Sequence, residues 1–374
     1  MKNPFIINGY IPPELFCDRE KETERIIRLL TNGNNIVLIS PRRLGKSALI
    51  HHCFGMPQIA REYTTIFVDI LQTTSLQEFT YLLGKAVYAA IIPKGKKLID
   101  KFIDGLKSLQ GKFSYDALSG VPSFSIQMGD ITRPDFTLEE IFCFIENAPG
   151  SCIVAIDEFQ QITNYPEKNV EALLRTYIQR LSNCNFIFAG SRQHLIHEIF
   201  AKQARPFYNS ATIMHLDPIP MDIYSDFVIE LFNRGGKIIE RDTVHDIYDR
   251  FDGNTYYMQS VLNEVYPQIE PSGECRGEDI EDALEEIIDF NEGTYREILS
   301  GLSLRQKELL ISIAKHEPVA SITSSSFIRS NGLLSASSVQ AAAKKMADLN
   351  IITKSEGRYS VTDKFLSLWL RKIY

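Results

Sequence analysis

The chain has 374 residues, 44% of them hydrophobic and 23% charged, with a formal net charge of −7. That length and apolar content predict two or three domains around a sizeable core, and the acidic balance argues against wholesale coating of nucleic acid. The cysteines Cys17, Cys53, Cys143, Cys152, Cys184 and Cys275 are scattered, with no CxxC pair and no histidines at zinc-finger spacing, so they read as reduced packing thiols rather than a disulfide frame or a zinc site.

The segment Met1 to Glu20 carries Pro4, Pro12, Pro13 and several charges instead of a basic start and an apolar run, and no apolar stretch approaches the length of a membrane span. A cytoplasmic chain with no membrane partner is expected. From Asn35, the run Asn35-Ile-Val-Leu-Ile-Ser-Pro-Arg-Arg-Leu-Gly-Lys-Ser47 reads as a short apolar strand entering a phosphate-binding loop. The usual spacing of glycine, four residues, then Gly-Lys-Ser/Thr is kept from Ser40 to Gly45-Lys46-Ser47, with Ser40 replacing the first glycine. The predicted cradle runs from Ser40 through Pro41, Arg42, Arg43, Leu44, Gly45, Lys46 and Ser47 to Ala48. Its backbone N–H groups and the positive end of the following helix favour anionic oxygens. Lys46 is suited to neutralising the β- and γ-phosphates of a triphosphate, and the Ser47 hydroxyl to ligating Mg2+. Arg42 and Arg43 face the phosphates, a neighbouring domain or solvent, and the latter two are favoured because Lys46 already supplies the main charge.

Further apolar runs at Thr64–Ile70, Cys152–Ile156, Asn185–Ala189 and Thr212–Leu216 alternate with helical patterns such as Leu76–Ile92 and Asn169–Leu181. The alternation predicts an α/β fold: a parallel sheet with helices on both faces and the ligand at the carboxyl ends of the strands. The stretch Pro93 to Pro134 has weaker periodicity and reads as an insertion or a mobile connection. Ser151-Cys-Ile-Val-Ala-Ile-Asp-Glu-Phe159 is a buried strand ending in two carboxylates. In a nucleotide site Asp157 supports the magnesium ion and Glu158 deprotonates the attacking water; otherwise the pair caps a helix. The Asn185 strand ends in Gly190-Ser191-Arg192. If it lies between the loop strand and the Asp157 strand, Ser191 points at the γ-phosphate; the alternative is a strand-terminating turn.

After Pro218-Ile-Pro220 the pattern is helical from about Asp222 to Ile298, broken near Gly235-Gly236, Asp252-Gly253-Asn254 and Pro271 to Gly273. Helices at Ser303–His316, Ser324–Arg329 and Ala336–Leu349 follow. A hairpin of Ile351–Thr353 and Arg358–Ser360, joined through Ser355-Glu356-Gly357, completes the outline of a winged helix-turn-helix. From Gly301 onward there are 11 Lys/Arg against 5 Asp/Glu, about +6, which leaves about −13 for the rest. On the third winged helix Val339, Ala342, Met346 and Leu349 form the expected core face. Ser337, Ser338, Gln340, Lys344 and Lys345 lie opposite, with Arg329, Lys354 and Arg358 expected alongside, a surface suited to DNA or to a protein client. The expected domains are 1–220 (α/β nucleotide domain, insertion about 93–134), 221–300 (helical lid) and 301–374 (winged helix-turn-helix).

The Ser40–Ser47 string, Ile156-Asp-Glu-Phe-Gln160 and Gly190-Ser191 resemble the AAA+-related P-loop ATPases, and the chain looks most like the archaeal-type ATPases of the STAND-like branch. Asn3-Pro-Phe5 and Phe16-Cys-Asp-Arg-Glu20 share the resemblance, which runs through the winged helix. It implies Phe16 and Arg19 as contacts on the base side of ATP, although Asp18-Arg-Glu20 also suits an acidic helix start. It further implies an arginine reaching the γ-phosphate. The expected position holds Ser210, so that role falls to Arg205 or Arg192. The resulting expectation is an ATP·Mg2+-binding switch or ATPase with a winged-helix output domain, alone or as a homo-oligomer. The rival is a nucleotide-gated DNA-binding regulator with little hydrolysis, and a small-molecule kinase is disfavoured for want of a substrate-hydroxyl motif.

Overall fold

The computed structural model describes residues 3–9, 11–109, 126–355 and 357–374, with the backbone of the paired segments Ser114–Tyr115 and Pro122–Ser123. Gly111 and Gly120 of the weakly periodic stretch, and Glu356 of the hairpin turn, lie outside the described residues. The chain forms two compact units, Tyr10–Ile219 and Met1–Gly9 together with Pro220–Tyr374.

The first unit is built on five parallel strands: β1 (Ile36–Ile39), β2 (Tyr63–Asp69), β3 (Ser151–Asp157), β4 (Cys184–Gly190) and β5 (Thr212–His215). They lie side by side in the order β2-β3-β4-β1-β5. Strand β4 therefore separates the loop strand from the Asp157 strand, the condition on which the reading of Ser191 depended. β1 is buried at all four positions because helices cover both faces of the sheet. Successive side chains still part to opposite sides. Val37, Ile39, Val154, Ile156, Phe186 and Phe188 enter one core, with α3 (Leu76–Ile91) and α5 (Pro134–Glu146). Ile36, Leu38, Ile153, Ala155, Ile187 and Ala189 enter the other, with α1 (Glu20–Thr31) and α2 (Lys46–Gly55). Between α3 and α5 the chain forms α4 (Lys96–Gly105), whose Ile99 and Phe102 are buried in the first core. Its i,i+3 apolar pair sits among lysines, which is why periodicity alone made it faint.

After β3 comes α6 (Val170–Arg180), and after β4 comes α7 (Gln193–Ala201). Phe159, Phe188, Phe200 and Phe207 pack ring against ring at 4.6 to 5.8 Å and tie the segment after β3 to β4 and α7.

The second unit opens with four helices, α8 (Met221–Arg234), α9 (Arg241–Arg250), α10 (Thr255–Val265) and α11 (Gly277–Ser300). Asp252 and Gly253 break the run with φ of 51° and 66°. The N-terminal residues are held here: Asn3 donates to the Asn263 carbonyl at 2.7 Å, Asn263 donates to the Phe5 carbonyl, and Phe5 is fully buried against Phe232 and Tyr266.

Then follow α12 (Leu304–His316), α13 (Ser325–Ser330), α14 (Ala336–Asp348), the antiparallel pair β6 (Ile352–Ser355) and β7 (Arg358–Val361), and α15 (Lys364–Ile373). Ser303 and Gln306 form a capping box at the start of α12. On α14 the buried residues are Val339, Ala342, Ala343 and Met346, whereas Leu349 is 63% exposed, because the helix ends at Asp348 and the chain leaves its periodic face. Ser337, Gln340, Lys344 and Lys345 are exposed; Ser338 is half-buried and accepts a bond from Arg305.

Candidate nucleotide site

The parallel order brings the carboxyl ends of β1, β3 and β4 together, so the residues that follow each strand share one space. Ser40 leaves β1 with its N–H directed at the Gly190 carbonyl of β4, 3.5 Å away. The loop then turns through Arg43 and Gly45, both left-handed at φ 64° and 89°, before α2 begins at Lys46. Glycine takes that conformation without the Cβ clash an L side chain meets. Leu44 is buried in the core beneath the loop, whereas Pro41, Arg42, Arg43 and Gly45 are exposed and Ala48 is half-buried. Leu44 thus anchors the turn.

Lys46 is 6% exposed, and its Nζ stands 3.9 Å from Glu158 Oε1. The Ser47 hydroxyl donates to Asp157 Oδ2, and Asp157 Oδ1 accepts the Glu158 N–H at 2.9 Å. A hydroxyl and a carboxylate oxygen one hydrogen bond apart are hard donors of the kind that suits Mg2+.

Glu158 sits in the left-handed region at φ 57° and is 9% exposed. Its Oε2 accepts from the Ser191 hydroxyl at 2.8 Å, the Ser191 N–H at 3.3 Å and the Gln160 amide. Burial opposes its charge, but the Lys46 ammonium and the bonds from Gln160 and Ser191 outweigh burial and hold the carboxyl below its ordinary value. Asp69, at the end of β2 beside Asp157, moves the other way: burial raises it, against the Leu71 N–H, and the nearby Asp157 and Glu158 raise it further.

Phe16 stacks on His52 of α2 with ring centroids 4.1 Å apart. Arg19 is 4% exposed and left-handed at φ 68°; its Nη1 donates to Glu22 at 2.7 Å, while its buried Nη2 has no partner among the described residues. Arg205 is not brought to this cluster. Its guanidinium pairs with Glu171 of α6. Arg192 follows Ser191 at the start of α7, half-buried and outside the ion pairs of the described residues.

Sequence reasoning missed Gln160 and the tight fit at Gly190. Gln160 is 3% exposed and its Oε1 has no partner among the described residues. A Cβ on Gly190 would lie 2.2 Å from that oxygen and 2.4 Å from the Ile196 side chain. The glycine ending a strand carries that signal only faintly, since turns use glycine for many reasons.

A family described as "ATPase domain predominantly from Archaea" matches residues 16–261, and one described as "Probable winged helix domain" matches residues 293–372. Curated proteins provide no match. Among solved structures the chain is similar to a Walker-type ATPase of Pyrococcus abyssi, at 20% identity over 98% of this chain and 99% of that one, with a TM-score of 0.66. It is also similar to the Aeropyrum pernix ORC2 protein, described in ADPNP–ADP complexes, at 14% identity over 100% and 97% of the two chains (TM-score 0.61). The Aeropyrum pernix ORC1 protein, described in complex with DNA, matches at 14% identity over 100% and 97% (TM-score 0.54). At such identities the structural likenesses speak to the fold, whereas the family match rests on the sequence itself. The chain belongs to the ATPase-domain family found predominantly in Archaea and joins that P-loop domain to a C-terminal winged helix.

Proposed function

We propose that this protein is an ATP·Mg2+-dependent molecular switch that hydrolyses ATP at the site between α2 and the ends of β3 and β4. The observation that carries the reading is one chain of contacts: Ser47 bonded to Asp157, and Lys46 3.9 Å from Glu158, at the carboxyl end of a parallel sheet. Lys46 and the loop backbone hold the phosphates, and Ser47 and Asp157 hold the magnesium ion, which supplies charge neutralisation when bound. Glu158 takes a proton from a water whose oxygen bonds to the γ-phosphorus. The bond from that phosphorus to the β,γ-bridging oxygen breaks, and its electron pair leaves on ADP.

The buried Nη2 of Arg19, without a partner among the described residues, and the ring of Phe16 support a base-side role for both. The cis engagement of Arg205 with Glu171 leaves Arg192 the better placed of the two arginines in the same chain, since it adjoins Ser191. In this reading residues 221–300 act as a helical lid and 301–374 as the output domain.

The test is calorimetric titration with ATP and Mg2+. Wild type binds and Lys46→Ala does not; equal affinity in the two proteins overturns the reading.

A second reading, a nucleotide-gated DNA-binding regulator, draws on the exposed Gln340, Lys344, Lys345, Lys354 and Arg358 of α14 and the hairpin. The likeness to a protein described in complex with DNA supports it at the level of fold. Duplex DNA titrated at two salt concentrations discriminates: several phosphate contacts give affinity falling steeply with salt. No binding at low salt removes this reading.

A further inference from the structure

We propose that Gln160 is the positioning residue for hydrolysis: it anchors Glu158 through Oε2 and leaves Oε1 as the oxygen that receives the proton of the attacking water. The inference rests on the hydrolysis reading above and adds to it an assignment of roles to the two carboxylate oxygens.

The two oxygens of Glu158 have different surroundings. Oε2 accepts three donors, the Gln160 amide and the hydroxyl and N–H of Ser191. Those bonds occupy its lone pairs and leave it a poor acceptor for a further proton. Oε1 faces Lys46 Nζ at 3.9 Å. Once a triphosphate engages the Lys46 ammonium, Oε1 is the oxygen with capacity to spare, while Oε2 stays fixed.

Gln160 is built for this contact at a cost. Its NH2 group, and not its carbonyl, must face the carboxylate, because two acceptors would oppose each other. That orientation turns Oε1 of Gln160 into a buried space where it has no partner among the described residues. A buried carbonyl without a partner is unfavourable, a loss that a methionine or leucine of similar volume would avoid. The amide also lies where a Gly190 side chain would have to be, 2.2 Å from a Cβ. Two positions, 160 and 190, thus depart from what packing alone favours, and both departures serve the Glu158 contact. The left-handed backbone of Glu158 fits the same account: regular strand or helix geometry does not aim this side chain, so its bonds must.

The experiment uses full-length wild type, Gln160→Met and Gln160→Glu, with thermal unfolding to check the fold of each. Three readouts are taken: ATP affinity by calorimetry, single-turnover cleavage across pH, and the carboxylate titration of Glu158. The last comes from NMR of protein carrying 13C-carboxylate glutamate, the Glu158 signal being the one missing in Glu158→Gln. Gln160→Met should bind ATP within about twofold of wild type and cleave it on the order of tenfold to a hundredfold more slowly. Its Glu158 titration and the acid limb of its pH–rate profile should both move upward. Wild-type cleavage with an unmoved Glu158 signal overturns the proposal, as does loss of ATP binding like that of Lys46→Ala. If Gln160→Met does not fold, Gln160→Glu, which keeps the volume and replaces the donor by an acceptor, takes its place, and an unmoved Glu158 signal there overturns the proposal equally. Wild type that binds ATP without cleaving it refutes the hydrolysis reading; the Glu158 signal of Gln160→Met then still decides the anchor, supporting it if shifted and refuting it if not.

Discussion

The Ser191 hydroxyl donates to Glu158 Oε2 at 2.8 Å, so the end of one strand holds the carboxylate at the end of its neighbour. With the Ser191 N–H and the Gln160 amide on the same oxygen, the bond fixes a carboxylate that is 9% exposed, and the proposed general-base role makes a direct prediction. Glu158→Gln keeps the shape and loses the base. It should retain ATP binding and slow turnover by about 10²–10⁴-fold. Filter binding of radiolabelled ATP with parallel phosphate release checks both halves; turnover near the wild-type rate contradicts the assignment.

Gly190→Ala tests the packing behind the same contact. The added methyl would meet the Gln160 amide and the Ile196 side chain well inside van der Waals distance. Overpacking of this kind costs about 1–3 kcal/mol. Denaturant unfolding should show the loss, and turnover should fall beyond what the stability change explains, because Gln160 is displaced. A variant as stable and active as wild type would mean that this corner relaxes freely.

The depressed carboxyl of Glu158 makes a pH prediction whose sign follows from linkage. A carboxylate held below its unfolded value stabilises the folded state above that value, and the contribution disappears as pH falls through the folded value. Below about pH 4.3, the ordinary value for glutamate, wild type should therefore lose stability more steeply than Glu158→Gln. Thermal unfolding of the two proteins from pH 7 to pH 3 measures it; parallel curves would show that the Lys46, Gln160 and Ser191 contacts do not favour the charged form.

Phe5 is fully buried against Phe232 and Tyr266. Phe5→Ala should destabilise the unit that contains it by about 3–5 kcal/mol, as for other buried phenylalanines. Asn3→Ala, which removes a single part-buried bond to the Asn263 carbonyl, should cost about 0.5–1.5 kcal/mol. Calorimetric unfolding with separate transitions for the two units is the measurement, and equal effects from the two substitutions would contradict the ranking.

Much of this molecule was legible locally. Asn35 to Ser47 announces a strand and a phosphate turn because the chemistry is contiguous: apolar residues, then a left-handed glycine, then Lys-Ser at a helix start. The winged segment was legible for the same reason, through the succession of three helical patterns and a hairpin turn and the 3.6-residue spacing of Val339, Ala342 and Met346. The limits also have local causes. Helix α4 was obscured because only Ile99 and Phe102 mark its buried face, and Leu349 was misassigned because periodicity does not announce the turn at which a helix stops.

What the sequence by itself determined is the set of candidates for phosphate chemistry, since Lys46, Ser47, Asp157 and Glu158 belong to contiguous motifs whose spacing reflects backbone geometry. What only the tertiary structure decided is how they meet. The insertion of β4 between β1 and β3 places Ser191 on Glu158; the same crossing sets the Gln160 amide against a bare Gly190, and Arg205 turns to Glu171 instead of the loop. Strand order is settled by the burial of whole sheet faces against helices distant in the chain, so contacts that depend on it leave no local pattern to read.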